Sequence, residues 1–483
     1  MQLILILPLI VALVAFFMPN KLVKEFSLAF SGSFFLLSLY VLFKYDPLNY
    51  YNFIYYNETF LVGTGGSLHI GLDSIGVMMF ALTNFVIFYV NIMAWEKTYT
   101  RSFYGCVFLM QFALIGVFAS LNAILFYFFW ELALLPIYYI VYKWGNGKEL
   151  NKTFVRFFIY TFVGSLFILA AFILFAVETK SGSFEITEMA KNSLTGKTQI
   201  LYTIFLLIGF GVKIPIFPLH SWQPSTYRKA PAEGTVLLSG IMLKMGLFGL
   251  LRWLVPFQDD ALPIIQKVVI ILAIIGTVYG AIIALRRNDL KLIAAFSSLS
   301  HVGLITAGIF AYKFVGFQGV AFQMLVHGIN IVGILYIFDI IERSTGTRYL
   351  SDLGGISSKS PLFSALTLII IIGTIAVTPL TNGFPGEFLL LMSVFLYNPI
   401  LGILAGSTII LGAAYLLRVY QRAFMGEVSE HVSNFKAVSA FDLTALGFIA
   451  LLVLVLGIYP QFILDISANG SQYLTNLLEL KNN

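Results

Sequence analysis

Long runs of apolar residues, separated by short polar connections, dominate this chain from end to end. The runs are continuous rather than alternating, and most reach about 20 residues, the length at which an α-helix crosses ~30 Å of hydrocarbon. The pattern therefore predicts an all-α, polytopic membrane protein with about fourteen transmembrane helices. Their approximate bounds are 2–18, 26–43, 74–94, 103–120, 122–142, 156–177, 200–219, 233–253, 263–284, 291–311, 318–341, 362–396, 400–420 and 441–460.

Two of the predicted helices are interrupted by proline. VKIPIFP at 212–218 breaks helix 7, and PLTNGFPGE at 379–387 breaks helix 12. Paired interruptions in corresponding halves of a membrane protein are typical of inverted-repeat transporters, whose functional site lies at the breaks. We therefore predict two inverted five-helix repeats, formed by helices 4–8 and 9–13.

This organisation predicts four parts, and the short connections leave no room for a soluble catalytic domain. The parts are residues 1–102 with helices 1–3, residues 103–255 with the first repeat, residues 260–422 with the second repeat, and residues 423–483 with helix 14 and a tail. The longest connections are 44–73 and 178–199.

Composition and charge agree with a membrane protein and exclude other classes. Of the 483 residues 59% are hydrophobic and only 11% charged, with a mean hydropathy of +0.91, more apolar surface than a soluble core could hide. The net charge of +6 comes from basic residues scattered through short loops, which argues against nucleic acid binding. Most of them lie in the loops that follow odd-numbered helices. The positive-inside rule therefore predicts cytoplasmic odd loops and both termini on the opposite side.

Glu131, Lys213, Lys244 and Glu387 are ionisable residues that each lie inside an otherwise apolar run. A charge at bilayer depth costs at least ~2.5–3.5 kcal/mol, so such residues are rare and usually mark an ion or substrate path. The least costly arrangement for Glu131 and Lys213 is to pair, and a pair that opens and closes can act as a proton switch. The alternative is a static ion pair that only holds helices together.

Lys244 lies within SGIMLKMGLFG, residues 239–249, among small residues that permit close helix packing. We therefore expect its ammonium group to face the bundle interior, where a lysine can carry a proton. The alternative is that the side chain snorkels to the membrane interface.

His301 and His327 fall in predicted helices 10 and 11. Gln323, His327 and Asn330 are spaced i, i+4 and i+7, which places them on one helix face. Histidine titrates near neutral pH and can pass protons, although a lone buried histidine is often structural. No metal-binding spacing accompanies them, and Cys106 is the only cysteine, so we predict neither a metal site nor a cofactor bound by this chain.

Five segments together resemble one protein family. They are FYFFWELALLPIYYIVYKWG, VKIPIFPLHSWQPSTYRKAPAEGTVLLSGIMLKMG, LKLIAAFSSLSHVGL, FQMLVHGIN and NGFPGEFLLLMSVF. These segments are similar to those of the antiporter-like membrane subunits of NADH:quinone oxidoreductase, respiratory complex I, with the best fit to the subunit M (subunit 4) type. The likeness extends from about residue 70 to 425.

The resemblance implies a role for each candidate residue. Glu131 and Lys213 would form the pair, Lys244 the central relay, His301 and His327 the continuing path, and Glu387 the terminal residue, where sister subunits usually carry lysine. It implies a proton-translocating subunit without redox chemistry of its own. NADH, FMN, iron–sulfur clusters and quinone would be used by other subunits, L-type and N-type subunits would be neighbours, and the bacterial cytoplasmic membrane would be the location.

Three alternatives remain open from the sequence. The wider family includes subunits of multi-subunit cation/proton antiporters and of energy-converting hydrogenases, and a structural spacer would also carry buried charges. One departure from the family pattern stands at Glu233, where a small apolar residue is common. Since it lies near a helix start, we expect it to face an interface.

Overall fold

A computed structural model describes residues 2–45, 56–62, 66–180, 182–258 and 262–482. Nearly all of them are helical. The helices are α1 (Gln2–Phe17), α2 (Val23–Lys44), α3 (Ser74–Met93), α4 (Arg101–Ala119), α5 (Ala123–Leu132), α6 (Leu134–Trp144), α7 (Leu150–Glu178), α8 (Ile186–Met189), α9 (Gly196–Lys213), α10 (Gln223–Lys229), α11 (Ala232–Leu237), α12 (Leu243–Gly249), α13 (Pro263–Arg286), α14 (Leu290–Phe310), α15 (Phe314–Thr345), α16 (Ile356–Lys359), α17 (Pro361–Ile375), α18 (Gly383–Tyr397), α19 (Pro399–Phe424), α20 (Glu430–Ser433), α21 (Ala440–Ile458) and α22 (Gln461–Asn482).

Eleven helices of the described residues are long and apolar enough to cross a membrane, and three shorter apolar helices, α1, α17 and α18, accompany them. Three of the eleven combine several elements, and one of these, Ser74–Glu96, adds the 3₁₀ turn Ala94–Glu96 to α3. Ala123–Trp144 joins α5 to α6, and Ala232–Phe257 joins α11 and α12 through π-helical turns at Leu238–Met242 and Leu250–Leu254. The polytopic helical fold is confirmed, while the number of fourteen crossings and the inverted repeats stay predictions.

Both predicted breaks are present. Helix α9 ends at Lys213, and the next helical turn, Leu219–Trp222, is a separate 3₁₀ segment. Helix α17 ends at Ile375, and α18 starts only at Gly383. Irregular backbone at membrane depth needs hydrogen-bond partners from protein or water. The breaks therefore predict polar surroundings beside Lys213 and before Glu387.

The chain forms two compact units. The first comprises Met1–Pro215, Lys229–Lys267 and Asp465–Asn483, and the second Ile216–Arg228 and Val268–Leu464. Each unit contains a central helical span whose most apolar stretch is entirely buried, Ala232–Phe257 in the first and α15 in the second. Lys244 lies on the first of these central spans and His327 on the second.

A pair of β-strands and a C-terminal helix were not predicted. Strands β1 (Tyr56–Val62) and β2 (Gly66–Leu72) pair antiparallel within the expected connection 44–73, of which residues 46–55 and 63–65 lie outside the described part. The predicted C-terminal tail contains the further helix α22. Hydropathy misses α22 because polar residues such as Asn469 and Gln472 dilute its apolar face.

Candidate functional site

Glu131 and Lys213 lie in the first unit at two helix ends. Glu131 is the penultimate residue of α5, and Lys213 is the last residue of α9 and only 3% exposed. The Lys213 Nζ lies 5.6 Å from the centroid of the Trp130 ring, beside Glu131 in sequence. Lys213 and Glu131 interact electrostatically.

The predicted pair is not in hydrogen-bond contact in this structure. Lys213 Nζ and Glu131 Oε1 are both buried without a hydrogen-bond partner. The hydroxyl groups of Ser165 and Tyr127 lie within hydrogen-bonding reach of the Glu131 carboxylate. An uncompensated buried polar atom is costly, and water is its usual partner. The pair is therefore open in this structure, and the Lys213 amine and one Glu131 oxygen each have unused hydrogen-bonding capacity.

Lys244 is completely buried and does not reach an interface. Its Nζ donates to the backbone oxygen of Ser239 at 2.7 Å. Ser239 belongs to the π-helical turn that precedes α12, and wide turns of this kind occur frequently at functional sites. The turn leaves a backbone carbonyl available to hold the amine in the protein interior.

The glycines around Lys244 bring α12 against α9, as the small residues predict. A Cβ on Gly246 would lie 2.5 Å from Ile214 Cγ1 and 3.1 Å from the Phe210 backbone oxygen, and one on Gly249 would meet the Phe210 ring at 2.5 Å. Ile214 directly follows Lys213. The close approach thus fixes the helix that carries Lys244 beside the break that ends at Lys213.

Gly246→Ala is expected to destabilise the assembled protein by about 1–3 kcal/mol, the usual effect of overpacking a tight core. Gly447→Ala in α21 is the matched control, because no atom outside the adjacent backbone of its own helix lies within 4 Å of the added methyl group. Thermal unfolding in detergent measures both variants. Equal melting temperatures for the two would contradict the close packing of α12 on α9.

In the second unit, Glu387 lies in α18, one turn after the helix begins, and is 4% exposed. The Nδ1 of His301 on α14 lies 2.6 Å from its Oε1, and the Nε2 of Gln323 on α15 donates to the same oxygen at 3.3 Å. The rings of His301 and His327 are 5.6 Å apart between centroids. These four side chains form one continuous polar cluster from three helices.

The polar stripe of α15 also reaches the break between α17 and α18. Asn330 and Asn382 exchange two hydrogen bonds of 3.0 Å, and Asn330 donates to the Gly373 backbone oxygen at 3.1 Å. The stripe therefore satisfies backbone and side-chain groups at the break as well as contacting Glu387.

The six predicted residues thus fall into two groups. Lys213, Lys244 and Glu131 belong to the first unit, and His301, His327 and Glu387 to the second. Each group contains both acidic and basic side chains.

A family model described as "NADH:quinone oxidoreductase/Mrp antiporter, TM" matches residues 120–412, well over half of the chain. The chain belongs to this family. Subunit M of NADH-quinone oxidoreductase from Rickettsia typhi is 34% identical over 440 residues, covering 89% of this chain and 88% of that protein. F(420)H(2) dehydrogenase subunit M of Methanosarcina mazei is 33% identical over 491 residues, covering 99% of this chain and 98% of that protein.

Solved structures agree with this family assignment. A chain of respiratory complex I from Thermus thermophilus superimposes with a TM-score of 0.90 at 26% identity and 99% coverage of both chains. A chain of the Mrp complex from Dietzia sp. gives a TM-score of 0.88 at 18% identity, covering 99% of this chain and 98% of that one, which shows the shared fold alone. The resemblance inferred from the sequence is confirmed.

This member of the family also contains buried charges that hydropathy did not single out. Arg252, near the end of the central span of the first unit, binds the Asp73 carboxylate and donates to the backbone oxygens of Phe118 and Ser120 at 3.1 and 3.0 Å. Asp73 also accepts from the Gly76 amide at the start of α3. A charged residue near the end of an apolar run was the only sequence signal for this pair.

Glu233 does not face an interface, contrary to the expectation. It is completely buried, with Lys97 Nζ 2.7 Å from its Oε1 and the Tyr99 hydroxyl donating to its Oε2 at 2.7 Å. The partners come from the 3₁₀ turn and connection that follow α3 and lie more than 130 positions away. The sequence signal for this buried ion pair was an acidic residue in an otherwise apolar helix start.

Among the described residues no group of three or more His, Cys, Asp or Glu side chains is arranged to hold a metal ion.

Proposed function

We propose that this chain is a membrane-arm subunit of NADH-quinone oxidoreductase that translocates protons without redox chemistry of its own. The observation that carries the proposal is the presence of buried, titratable side chains at both helix breaks in a fold shared with such subunits. Lys213 is the last residue before the first break. Glu387, which contacts His301, follows the second break. Electron transfer from NADH to quinone in other subunits would supply the driving force.

The proposed switch is the Glu131–Lys213 pair. Its two groups interact electrostatically but carry unused hydrogen-bonding capacity in this structure. A charge change in a neighbouring subunit would close or open the pair. Opposite charges at 4 Å interact by about 4 kcal/mol at an effective dielectric constant of ~20, enough to move a proton equilibrium by orders of magnitude.

The proton then moves between buried groups in the proposed cycle. Closure of the pair holds Lys213 protonated, and opening releases its proton to the neutral amine of Lys244. The second group, Glu387 with His301 and His327, passes a proton toward release. Because Glu387 lies one turn into α18, its carboxylate could also serve only to stabilise the helix start. Its direct contact with His301 supports the proton-transfer role instead.

Further features of the proposal follow from the family. L-type and N-type antiporter-like subunits would flank this chain, other subunits would hold FMN, iron–sulfur clusters and quinone, and the bacterial cytoplasmic membrane would be its location. Both termini would lie on the non-cytoplasmic side. The division into residues 1–102, 103–255, 260–422 and 423–483, with two inverted repeats, belongs to the same proposal.

A relative named for a different electron donor defines the second candidate. The F(420)H(2) dehydrogenase subunit M of Methanosarcina mazei aligns with 99% of this chain. Since no donor-binding chemistry is expected in this subunit, the same pump would serve either oxidoreductase. A multi-subunit cation/proton antiporter and an energy-converting hydrogenase are the remaining alternatives. The presence of glutamate rather than lysine at position 387 argues against the antiporter.

Purification from native membranes tests the proposal. The tagged chain is solubilised in mild detergent, and the preparation is assayed for oxidation of NADH and of reduced F420 with a quinone analogue. NADH:quinone reductase activity that co-purifies with the chain would support the proposal. Activity with reduced F420 alone would favour the second candidate, and small membrane partners without either activity would favour the antiporter.

A further inference from the structure

Two ion pairs connect α3 to Ala232–Phe257, the central span of the first unit. At one end Asp73, just before α3, binds Arg252, and at the other end Lys97, just after α3, binds Glu233. Because the chain order of the two partners is reversed, α3 and the span Ala232–Phe257 run antiparallel. Lys244 lies between the two ion pairs on this span.

The ion pair between Glu233 and Lys97 has more contacts than are needed to hold two helices together. Both carboxylate oxygens are engaged, one by Lys97 and the other by Tyr99. The Tyr99 ring stacks on the Phe103 ring, with 3.9 Å between centroids, and meets the Trp144 ring edge-on, with 5.8 Å between centroids. These contacts hold the Tyr99 hydroxyl group in place. The side chain of Lys97 is 20% exposed whereas that of Glu233 is not exposed at all. The pair therefore links the buried carboxylate of Glu233 to the partly exposed side chain of Lys97.

Buried amides continue inward from this pair along α3. Asn84 and Asn91 are spaced i, i+7 and so share a helix face, and both are at most 2% exposed. Asn84 accepts a hydrogen bond of 2.6 Å from Gln111 on α4. The remaining side-chain oxygens of Asn91 and Gln111 are buried without partners. Unpartnered buried acceptors of this kind call for water.

The positions of Asn91 and Asn84 along α3 can be compared with the depth of Lys244 on the neighbouring span. At 1.5 Å per residue, Asn91 lies about 9 Å from the level of Lys97, and Asn84 about 20 Å. Lys244 lies about 16 Å along the antiparallel span from Glu233. The amides of α3 thus bracket the depth at which Lys244 lies.

We propose that Glu233, positioned by Lys97 and Tyr99, is an additional proton-uptake group that loads Lys244 along the buried amides of α3. This inference rests on the proposed function. The Glu233 carboxylate takes a proton from water at the edge of the protein, which loosens its pairing with Lys97. The proton then leaves the carboxyl group for the neutral amine of Lys244, and the carboxylate returns to Lys97. One O–H bond breaks and one N–H bond forms, so the step needs no further reactant.

The first test is Glu233→Gln in the assembled complex, in membrane vesicles. The amide keeps the size of the side chain and still accepts from Tyr99, but it cannot carry a proton. We expect a lower ratio of protons translocated to electrons transferred. Glu96→Gln, which neutralises an exposed acid in the same connection, is the matched control and should leave the ratio unchanged.

A second variant separates proton uptake from a structural role. Lys97→Met with Glu233→Leu replaces the ion pair by apolar side chains, an exchange that is often neutral for stability. A purely structural role predicts that this double variant pumps normally, whereas the proposal predicts that the ratio stays low. Asn91→Leu, which removes an amide without changing charge, should lower the ratio as well.

Parallel measurement of Lys213→Ala distinguishes the two proposals. A wild-type ratio in Glu233→Gln or in the double variant, together with a reduced ratio in Lys213→Ala, would overturn the uptake role of Glu233 and leave the proposed function standing. An unchanged ratio in Lys213→Ala would overturn the proposed function itself.

Discussion

Glu387→Gln is expected to reduce proton translocation by this subunit on the order of 10²-fold or more, the contribution of a positioned proton-transfer group. Glutamine retains the volume of the side chain and can still accept from His301 and Gln323, whose nitrogen atoms lie 2.6 and 3.3 Å from the carboxylate oxygen. The local packing should therefore survive while the exchangeable proton is lost. Proton uptake and quinone reduction measured in the same vesicles give the effect.

Glu430→Gln is the matched control for this variant. It removes the same charge from an exposed position at the start of α20 and should leave proton translocation unchanged. Assembly of the complex is checked by native gel for both variants. Full pumping by assembled Glu387→Gln would show that the carboxylate only organises the helix start, and the His301 contact would then be structural.

Arg252→Met is expected to cost about 3–5 kcal/mol of stability, because it leaves the buried Asp73 carboxylate without its cation. Arg252 also donates to two backbone oxygens, at Phe118 and Ser120, which lose their donor. Both charged residues line a cavity of about 390 Å³, and water in it would bring the cost to the lower end of that range. The yield of assembled complex and its thermal unfolding measure the loss.

The double variant Asp73→Asn with Arg252→Met is the control. Asparagine can still cap α3 through the Gly76 amide while removing the uncompensated charge. Stability should therefore recover in part. A double variant as unstable as Arg252→Met would indicate that the lost backbone hydrogen bonds, rather than the unpaired carboxylate, dominate the effect.

The sequence predicted those features that follow from local pattern. Continuous apolar runs located the helices, prolines located the breaks near Lys213 and before Glu387, and small residues predicted the close packing of α12 that Gly246 makes possible. Each of these signals is contained in about twenty consecutive residues, so periodicity and chain stiffness are sufficient to read it.

Contacts between distant helices were beyond such patterns. Asp73 and Arg252 are 179 positions apart, and His301 and Glu387 are 86 positions apart. Their pairing depends on how helices pack, and in a membrane protein lipid-facing and protein-facing apolar surfaces have similar compositions. Glu233 was expected at an interface because it lies near a helix start, but its contacts with Lys97 and Tyr99 place it inside the protein.

The most direct test of the account is the number of protons translocated per electron in the assembled complex carrying Lys213→Ala. Lys197→Ala at the opposite, exposed end of the same helix α9 removes an equal charge and serves as the control. The account predicts a reduced ratio for Lys213→Ala and a wild-type ratio for Lys197→Ala. An unchanged ratio in a fully assembled Lys213→Ala complex would contradict the claim that this chain pumps protons through its buried lysine.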